Sequence, residues 1–195
     1  RHPLESLPID KRLLDACEKK LSVKTYTNVQ YSSIPRILED RDCLVKAQTG
    51  SGKTLAYLLP TLTLILKKHP QIKRTDGLFC LIMTPTRELA QQVYDVLSLL
   101  TTSIIGLVPS IVVGGDSRKR EKARIRKGVN ILVGTPGRLL DHVKTTTNLT
   151  LDKVEYLIMD EADRVLDAGF EKSVLEIVEH VNPNRTSILV SATLS

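Results

Sequence analysis

Tryptophan is missing from this 195-residue chain, and aromatic residues make up only 4% of it. Without large rings the interior has to be filled by aliphatic side chains, which suits a sheet of Val, Ile and Leu strands covered by helices. Stacking of bases on aromatic side chains must be scarce for the same reason. Cysteine is sparse as well: Cys17, Cys43 and Cys80 are odd in number and form no C-x-x-C pair, so neither a disulfide framework nor a zinc site is indicated. A reducing compartment is the expectation. The four histidines are scattered and read as ordinary surface or core residues rather than metal ligands. Long apolar runs are lacking too. The greasiest stretch, Leu55 to Leu66, is interrupted by Pro60, Thr61 and Thr63 and ends at Lys67-Lys68, too short and too polar to span a bilayer. A soluble protein with no membrane contact is expected. The first residue is Arg1, not methionine, so the chain is expected to be a piece of a longer one.

What is present begins with enough apolar content, 42% hydrophobic, to bury one substantial core, and a single domain is expected. The charge is uneven. Arg118 to Lys127 carries seven basic residues against Glu121 alone, so this one stretch accounts for the whole net charge of +6. Two readings stand side by side for it: a solvated helix face, or a surface for a phosphate backbone.

Short β-type runs at Cys43-Ala47, Phe79-Thr84, Ser110-Val113, Ile131-Gly134, Tyr156-Asp160 and Ser187-Val190 alternate with segments of helical apolar spacing. The helical stripes are Leu55, Leu58, Leu59, Leu62 and Leu66; then Leu89, Val93, Val96, Leu97 and Leu100; then Val174, Ile177, Val178 and Val181. Such alternation predicts an α/β fold, a mostly parallel twisted sheet with helices on both faces. Pro60 should bend the first of these helices, and Lys67 to Gly77 and Lys144 to Thr150 should be surface loops. In an open parallel sheet, ligands gather at the carboxyl ends of the strands. The chemically loaded segments all follow predicted strands: Gln48 to Thr54, Thr84 to Glu88, Gly114-Gly115, Gly134 to Arg138, Asp160 to Asp163 and Ser191 to Thr193.

Ala47-Gln48-Thr49-Gly50-Ser51-Gly52-Lys53-Thr54 has the form of a phosphate-binding loop, with Ala47 where a first glycine often stands. Its glycines allow a tight turn that aims N–H groups at phosphate oxygens, and a helix starting near Lys53 adds its positive end. Lys53 should neutralise the β and γ phosphates of a bound nucleotide, with Thr54 on Mg²⁺. Farther on, the apolar run Tyr156 to Met159 ends in Asp160-Glu161. That pattern offers Asp160 to the metal and Glu161 as general base toward an attacking water. The chain therefore reads as a nucleotide-hydrolysing module.

With these residues in place, the chain resembles the first RecA-like P-loop domain of a DEAD-box RNA helicase over about Leu4 to Ser195. Thr27-x-x-Gln30 resembles the Q motif, in a region spanning 4–31; Ala47 to Thr54 resembles motif I; and Pro85-Thr86-Arg87-Glu88-Leu89 resembles motif Ia. Gly114-Gly115 corresponds to the GG element, Thr135-Pro136-Gly137-Arg138 to motif Ib, Asp160-Glu161-Ala162-Asp163 to motif II, and Ser191-Ala192-Thr193 to motif III. The resemblance implies ATP and Mg²⁺ as cofactors. It implies that Gln30 reads the adenine edge, and that Pro85, Thr86, Arg87, Gly114, Gly115, Thr135, Pro136, Gly137 and Arg138 face RNA sugar and phosphate. It also implies that Ser191 and Thr193 hydrogen-bond the motif II carboxylates, including Asp163, to couple the two ligands.

Two departures shape the expectation. Such domains carry an aromatic residue well upstream of the glutamine that stacks on adenine, and Leu4 stands in that place, which predicts weak adenine binding. The chain also ends at Ser195, so the second RecA-like domain, expected in cis with its transition-state arginines, is not in it; nucleotide should bind with little turnover. The isolated domain is expected to be monomeric. The stretch Glu121 to Leu132 and Asp141-His142-Val143-Lys144 are similar to the nucleolar branch of the family that serves large-ribosomal-subunit assembly, which implies pre-ribosomal RNA as substrate and the nucleus as location. The rival readings are a noncatalytic scaffold that keeps the fold, and another P-loop ATPase acting on DNA or protein.

Overall fold

Six aliphatic segments form the strands β1 (Cys43–Lys46), β2 (Cys80–Met83), β3 (Pro109–Val112), β4 (Ile131–Gly134), β5 (Tyr156–Asp160) and β6 (Thr186–Ser191). They pair in the order β1-β6-β5-β2-β4-β3, and every pair is parallel. This computed structural model describes residues 2–193. Of the sequence-based expectations, only the outer limits of the domain, Arg1 and Ser195, lie outside that range.

Parallel strands need crossovers, and helices supply them: α1 (Lys11–Lys20), α2 (Asn28–Ile37), α3 (Lys53–Leu66), α4 (Arg87–Thr101), α5 (Arg118–Lys127), α6 (Pro136–Thr145), α7 (Ala162–Asp167) and α8 (Glu171–His180). Each strand's alternate residues go to opposite faces, and the core divides accordingly. Cys80, Ile82, Ile131, Val133, Tyr156 and Ile158 join Leu13, Ile34, Leu58 and Val93 from α1 to α4 in one cluster. Leu81, Met83, Leu132, Leu157 and Met159 join Ile125, Leu139, Val165 and Ile177 from α5 to α8 in the other. The sheet is therefore covered on both sides. β2, β4 and β5 are buried along their whole length, which explains their unbroken apolar runs.

Local chemistry sets several helix starts. Asp10, Thr27, Thr86 and Ser117 each accept a backbone N–H of the first turn, at α1, α2, α4 and α5. α3 runs on for a turn and a half beyond Pro60, which is itself buried. A second proline, Pro35, lies within α2. The loop expected at Lys144 to Thr150 begins later, since α6 extends to Thr145, and a short 3-10 turn at Arg74–Asp76 interrupts the other expected loop.

Because all strands point the same way, the loops that follow them open on one edge of the sheet. Strand order divides that edge. The turns after β1, β5 and β6 are neighbours on one half, and those after β2, β4 and β3 are neighbours on the other.

Candidate functional site

On the first half, Lys53 begins α3 behind a glycine turn, and its long side chain runs inward; the residue is buried, although the preceding Gln48, Thr49 and Gly50 are exposed. Its Nζ donates to Asp160 Oδ1 and, at 3.2 Å, to Glu161 Oε2. Asp160 is fully buried at the end of β5, and its other oxygen accepts from the Tyr57 hydroxyl at 2.8 Å. Burial and the Asp160 charge hold that phenol well above its ordinary pKa, so Tyr57 stays a donor. Glu161 takes a left-handed backbone, φ +51°, an unusual conformation for a side chain of its type, and its remaining oxygen pairs with Arg164. Motifs 107 residues apart in the chain thus meet in one cluster of two carboxylates and one ammonium.

The turn is braced from a third direction. Thr27 and Gln30 form a reciprocal capping box at the start of α2. From there Gln30 Nε2 donates to Gly52 O at 3.0 Å, and the Thr27 hydroxyl donates to Ser51 O at 2.9 Å. Gln30 Oε1 accepts the Thr27 N–H at 2.9 Å, so both ends of the amide are engaged. Gly52 has φ +81°, and a Cβ there would meet Gln30 Nε2 at 2.6 Å, so only glycine fits. Ala47, at the start of the turn, donates its N–H to Ser191 O at 3.0 Å. Beyond β6, the Thr193 hydroxyl donates to Asp163 Oδ2 at 3.1 Å. Partial burial would push the Asp163 carboxyl up, but the Thr193 hydroxyl and backbone N–H groups bring it below its ordinary value; the Ser191 hydroxyl, expected on the same carboxylate, donates instead to Thr193 O at 2.5 Å.

The second half is built around Glu121, the lone acid of the basic helix α5, which is fully buried. Its Oε2 accepts the Val113 N–H at 2.9 Å, and its Oε1 accepts Arg138 Nε at 2.7 Å and lies 2.7 Å from His142 Nε2. Burial would raise this carboxyl, but His142, Arg138 and Val113 together hold it below the usual glutamate value. Arg138 also donates to Asp116 O. From β2's turn, Arg87 donates to Gly114 O and Asp116 Oδ1, each at 3.2 Å, while remaining largely exposed. Thr86 caps α4 with its hydroxyl. Thr135 caps α6 with no side-chain bond, and Gly137 in the first turn is exposed with open space around it.

A family comparison matches residues 27–195 to the description DEAD/DEAH box helicase. The chain belongs to the DEAD/DEAH box helicase family. It is 43% identical to a probable ATP-dependent RNA helicase of Drosophila melanogaster, CG8611, across 98% of this chain and 21% of that protein. It is 45% identical to the ATP-dependent DNA helicase DDX31 of Homo sapiens, across 97% and 23%. It is 50% identical to the ATP-dependent RNA helicase DBP7 of Meyerozyma guilliermondii, across 90% and 24%. The chain thus spans roughly a fifth to a quarter of these relatives' length. Among solved structures, a DEAD box protein from Methanococcus jannaschii superposes with a TM-score of 0.87 at 34% identity, covering all of this chain and 51% of that one.

Within this DEAD/DEAH box domain, several side chains sit differently from the sequence expectation. Leu4 is 5% exposed and packed in the core, and its carbonyl accepts the Tyr26 hydroxyl at 2.7 Å, so it has little surface with which to cover a base. Pro85 and Pro136, expected on the RNA side, are buried within their turns. The Arg138 guanidinium is turned inward to Glu121 and Asp116, which makes it a brace between two loops. Sequence reading missed Tyr57, one turn after Lys53 in an apolar helix, and missed Glu121. The only signal for Glu121 was an acid alone among seven basic residues.

Proposed function

We propose that this chain is the first, ATP-binding RecA-like domain of an ATP-dependent RNA helicase that couples nucleotide binding and hydrolysis to sequence-independent clamping and local opening of RNA. The observation that carries the reading is the meeting of Lys53, Asp160 and Glu161 beside a glycine turn. The ammonium pairs with the buried Asp160 and the partly buried Glu161. On binding, Lys53 transfers to the phosphates, which frees Asp160. The Thr54 hydroxyl and the Asp160 carboxylate are hard oxygen donors that suit Mg²⁺ shared with phosphate oxygens. The ion, when bound, supplies neutralisation of charge on the phosphates. Glu161, held beside that position by Lys53 and Arg164, is the general base for the attacking water. Gln30, buried and tied to Gly52 O, fixes the shape of the phosphate turn against α2.

The other half of the edge is the RNA face: Arg87, Gly114, Gly115, Thr135 and Gly137 present a guanidinium, open backbone and a free helix start, groups that grip phosphate and sugar. The Thr193–Asp163 bond joins motif III to motif II, between nucleotide and RNA. A second RecA-like domain in cis, consistent with the length of the relatives, completes the site with arginines. Such groups are worth about a thousandfold or more in rate, so this chain alone binds nucleotide and hydrolyses little. Pre-ribosomal RNA is the substrate and the nucleolus the location.

The test is ATP hydrolysis by a longer chain that includes the second domain. RNA should stimulate it, and Glu161→Gln should keep ATP binding while stopping turnover; retained turnover would refute the base assignment. One relative carries the name of a DNA helicase, so DNA on this same face is the second reading. Competition between RNA and DNA of the same sequence decides between them.

A further inference from the structure

We infer that Glu121 is a positioning residue for nucleic-acid binding: a buried carboxylate that fixes the Gly114–Gly115 loop and the Thr135–Arg138 turn in one arrangement. The inference rests on the reading of that face as RNA-facing. Neither loop is held by the sheet once β3 ends at Val112 and β4 at Gly134. Arg87 braces the first loop from the exposed side through Gly114 O and Asp116 Oδ1, and the side chain that joins the two loops from within comes from α5. Through Oε2 it takes the N–H of Val113, the residue before the two glycines, and through Oε1 it takes the Arg138 guanidinium, which in turn reaches the carbonyl of Asp116 just after them. His142, itself fully buried and held from its other side by Thr146 Oγ1 at 2.8 Å, lies against the same Oε1 and ties the last turn of α6 into the cluster.

The chemistry demands a carboxylate. Three nitrogens converge on its two oxygens, and the Val113 amide and Arg138 guanidinium can only donate. Glutamine has one acceptor end. If its oxygen serves Arg138, its NH₂ faces the Val113 N–H; if its oxygen serves Val113, its NH₂ faces Arg138. Either way one loop loses its bond to this side chain, and the tie between the two loops is broken, while Arg87 still reaches Gly114 O and Asp116. Glu121 touches no ligand, because it is fully enclosed, so its effect on binding passes through the loops it holds. It sits on the β3–β4 half of the edge, away from the strands β1, β5 and β6 that carry Lys53 and Asp160, which makes nucleotide affinity an internal control.

The experiment measures, on wild type and Glu121→Gln, the affinity for oligouridylate by fluorescence anisotropy, the affinity for a fluorescent ADP, and amide hydrogen exchange at Val113, Gly114 and Gly115. RNA affinity is expected to fall about tenfold, ADP affinity to move by less than about twofold, and exchange at the three amides to accelerate. Unchanged RNA affinity in Glu121→Gln overturns the inference. So does an equal loss of RNA and ADP affinity, which marks general destabilisation. Absence of RNA binding by wild type overturns instead the reading of the face itself. Should Glu121→Gln not fold, His142→Leu removes one donor of the three and is expected to weaken RNA alone, to a smaller degree; an unchanged value there overturns the inference equally.

Discussion

Replacing Tyr57 with phenylalanine removes one oxygen atom from the middle of the nucleotide half and leaves the ring's shape intact. In the wild type that hydroxyl donates at 2.8 Å to Asp160 Oδ2, and both residues are fully buried. After the substitution Asp160 keeps Lys53 on one oxygen but has no donor on the other. Hydrogen bonds to charged groups contribute about 1.5–3 kcal/mol, so a loss of about 2 kcal/mol is expected. For a domain of this size each kcal/mol moves the midpoint by about 2–4 °C, which gives a fall in Tm of about 4–8 °C. Differential scanning calorimetry on the nucleotide-free chain reads it. A double-mutant cycle with Asp160→Asn adds specificity, since a bond to a neutral amide is worth about half as much and the Tyr57→Phe cost should shrink accordingly. A Tm within about 1 °C of wild type would refute the reasoning, because it would mean Asp160 finds its partner elsewhere.

Three further outcomes follow from named contacts. Gly52→Ala places a Cβ against Gln30 Nε2 in a left-handed backbone; it should cost about 1–2 kcal/mol in backbone strain alone and weaken ADP binding at least about tenfold, measured by calorimetry. The carboxyl of Glu121 is held below the ordinary value of 4.5, so the stability it contributes is fully present above that pH and lost as acidification passes through the folded value. The stability difference between wild type and Glu121→Gln in urea should therefore be flat from neutrality down to that range and shrink below it. Among the thiols, Cys17 and Cys80 are buried, with Cys17 pushed up to about 11 by burial, whereas Cys43 is partly exposed. Timed alkylation followed by mass spectrometry should label Cys43 first, and early labelling of Cys80 would contradict the packing.

Much of the architecture is legible in the chain because each strand is a short aliphatic run followed by a chemically distinctive turn. Periodicity located all six strands to within a residue or two at either end. The three apolar stripes fall on α3, α4 and α8, while at α6 Lys144 and Thr145 continue a helix that their polar neighbours had suggested was over. Strand order is another matter. Nothing local to Cys43–Lys46 says that it pairs with Thr186–Ser191, and it is that pairing, with β5 next to β6, which gathers Lys53, Asp160 and Ser191 at adjoining turns. The residues of the nucleotide cluster could be named from their types, but the tie between Gln30 and Gly52 could not, since a side-chain amide's partner depends on where two turns meet. Tyr57 was hidden by its place in an apolar helix. Leu4, which motif alignment put in the place of an adenine-stacking aromatic with weak adenine binding expected, is packed in the core, and its sequence neighbours gave no sign of that burial. Arg138 and Glu121 each look like surface charges in sequence and become partners only when α5 packs over the β4 turn.

The claim on which the rest depends is that Lys53 and the carboxylates of Asp160 and Glu161 surround the phosphates of one bound nucleotide. Titration calorimetry of ADP with Mg²⁺ into wild type, Lys53→Ala and Arg87→Ala tests it most directly. Lys53→Ala should lose at least about tenfold in affinity, the equivalent of about 1.4 kcal/mol, and Arg87→Ala, on the other half of the edge, should bind as wild type does. Equal affinity in wild type and Lys53→Ala, or a loss confined to Arg87→Ala, would contradict it.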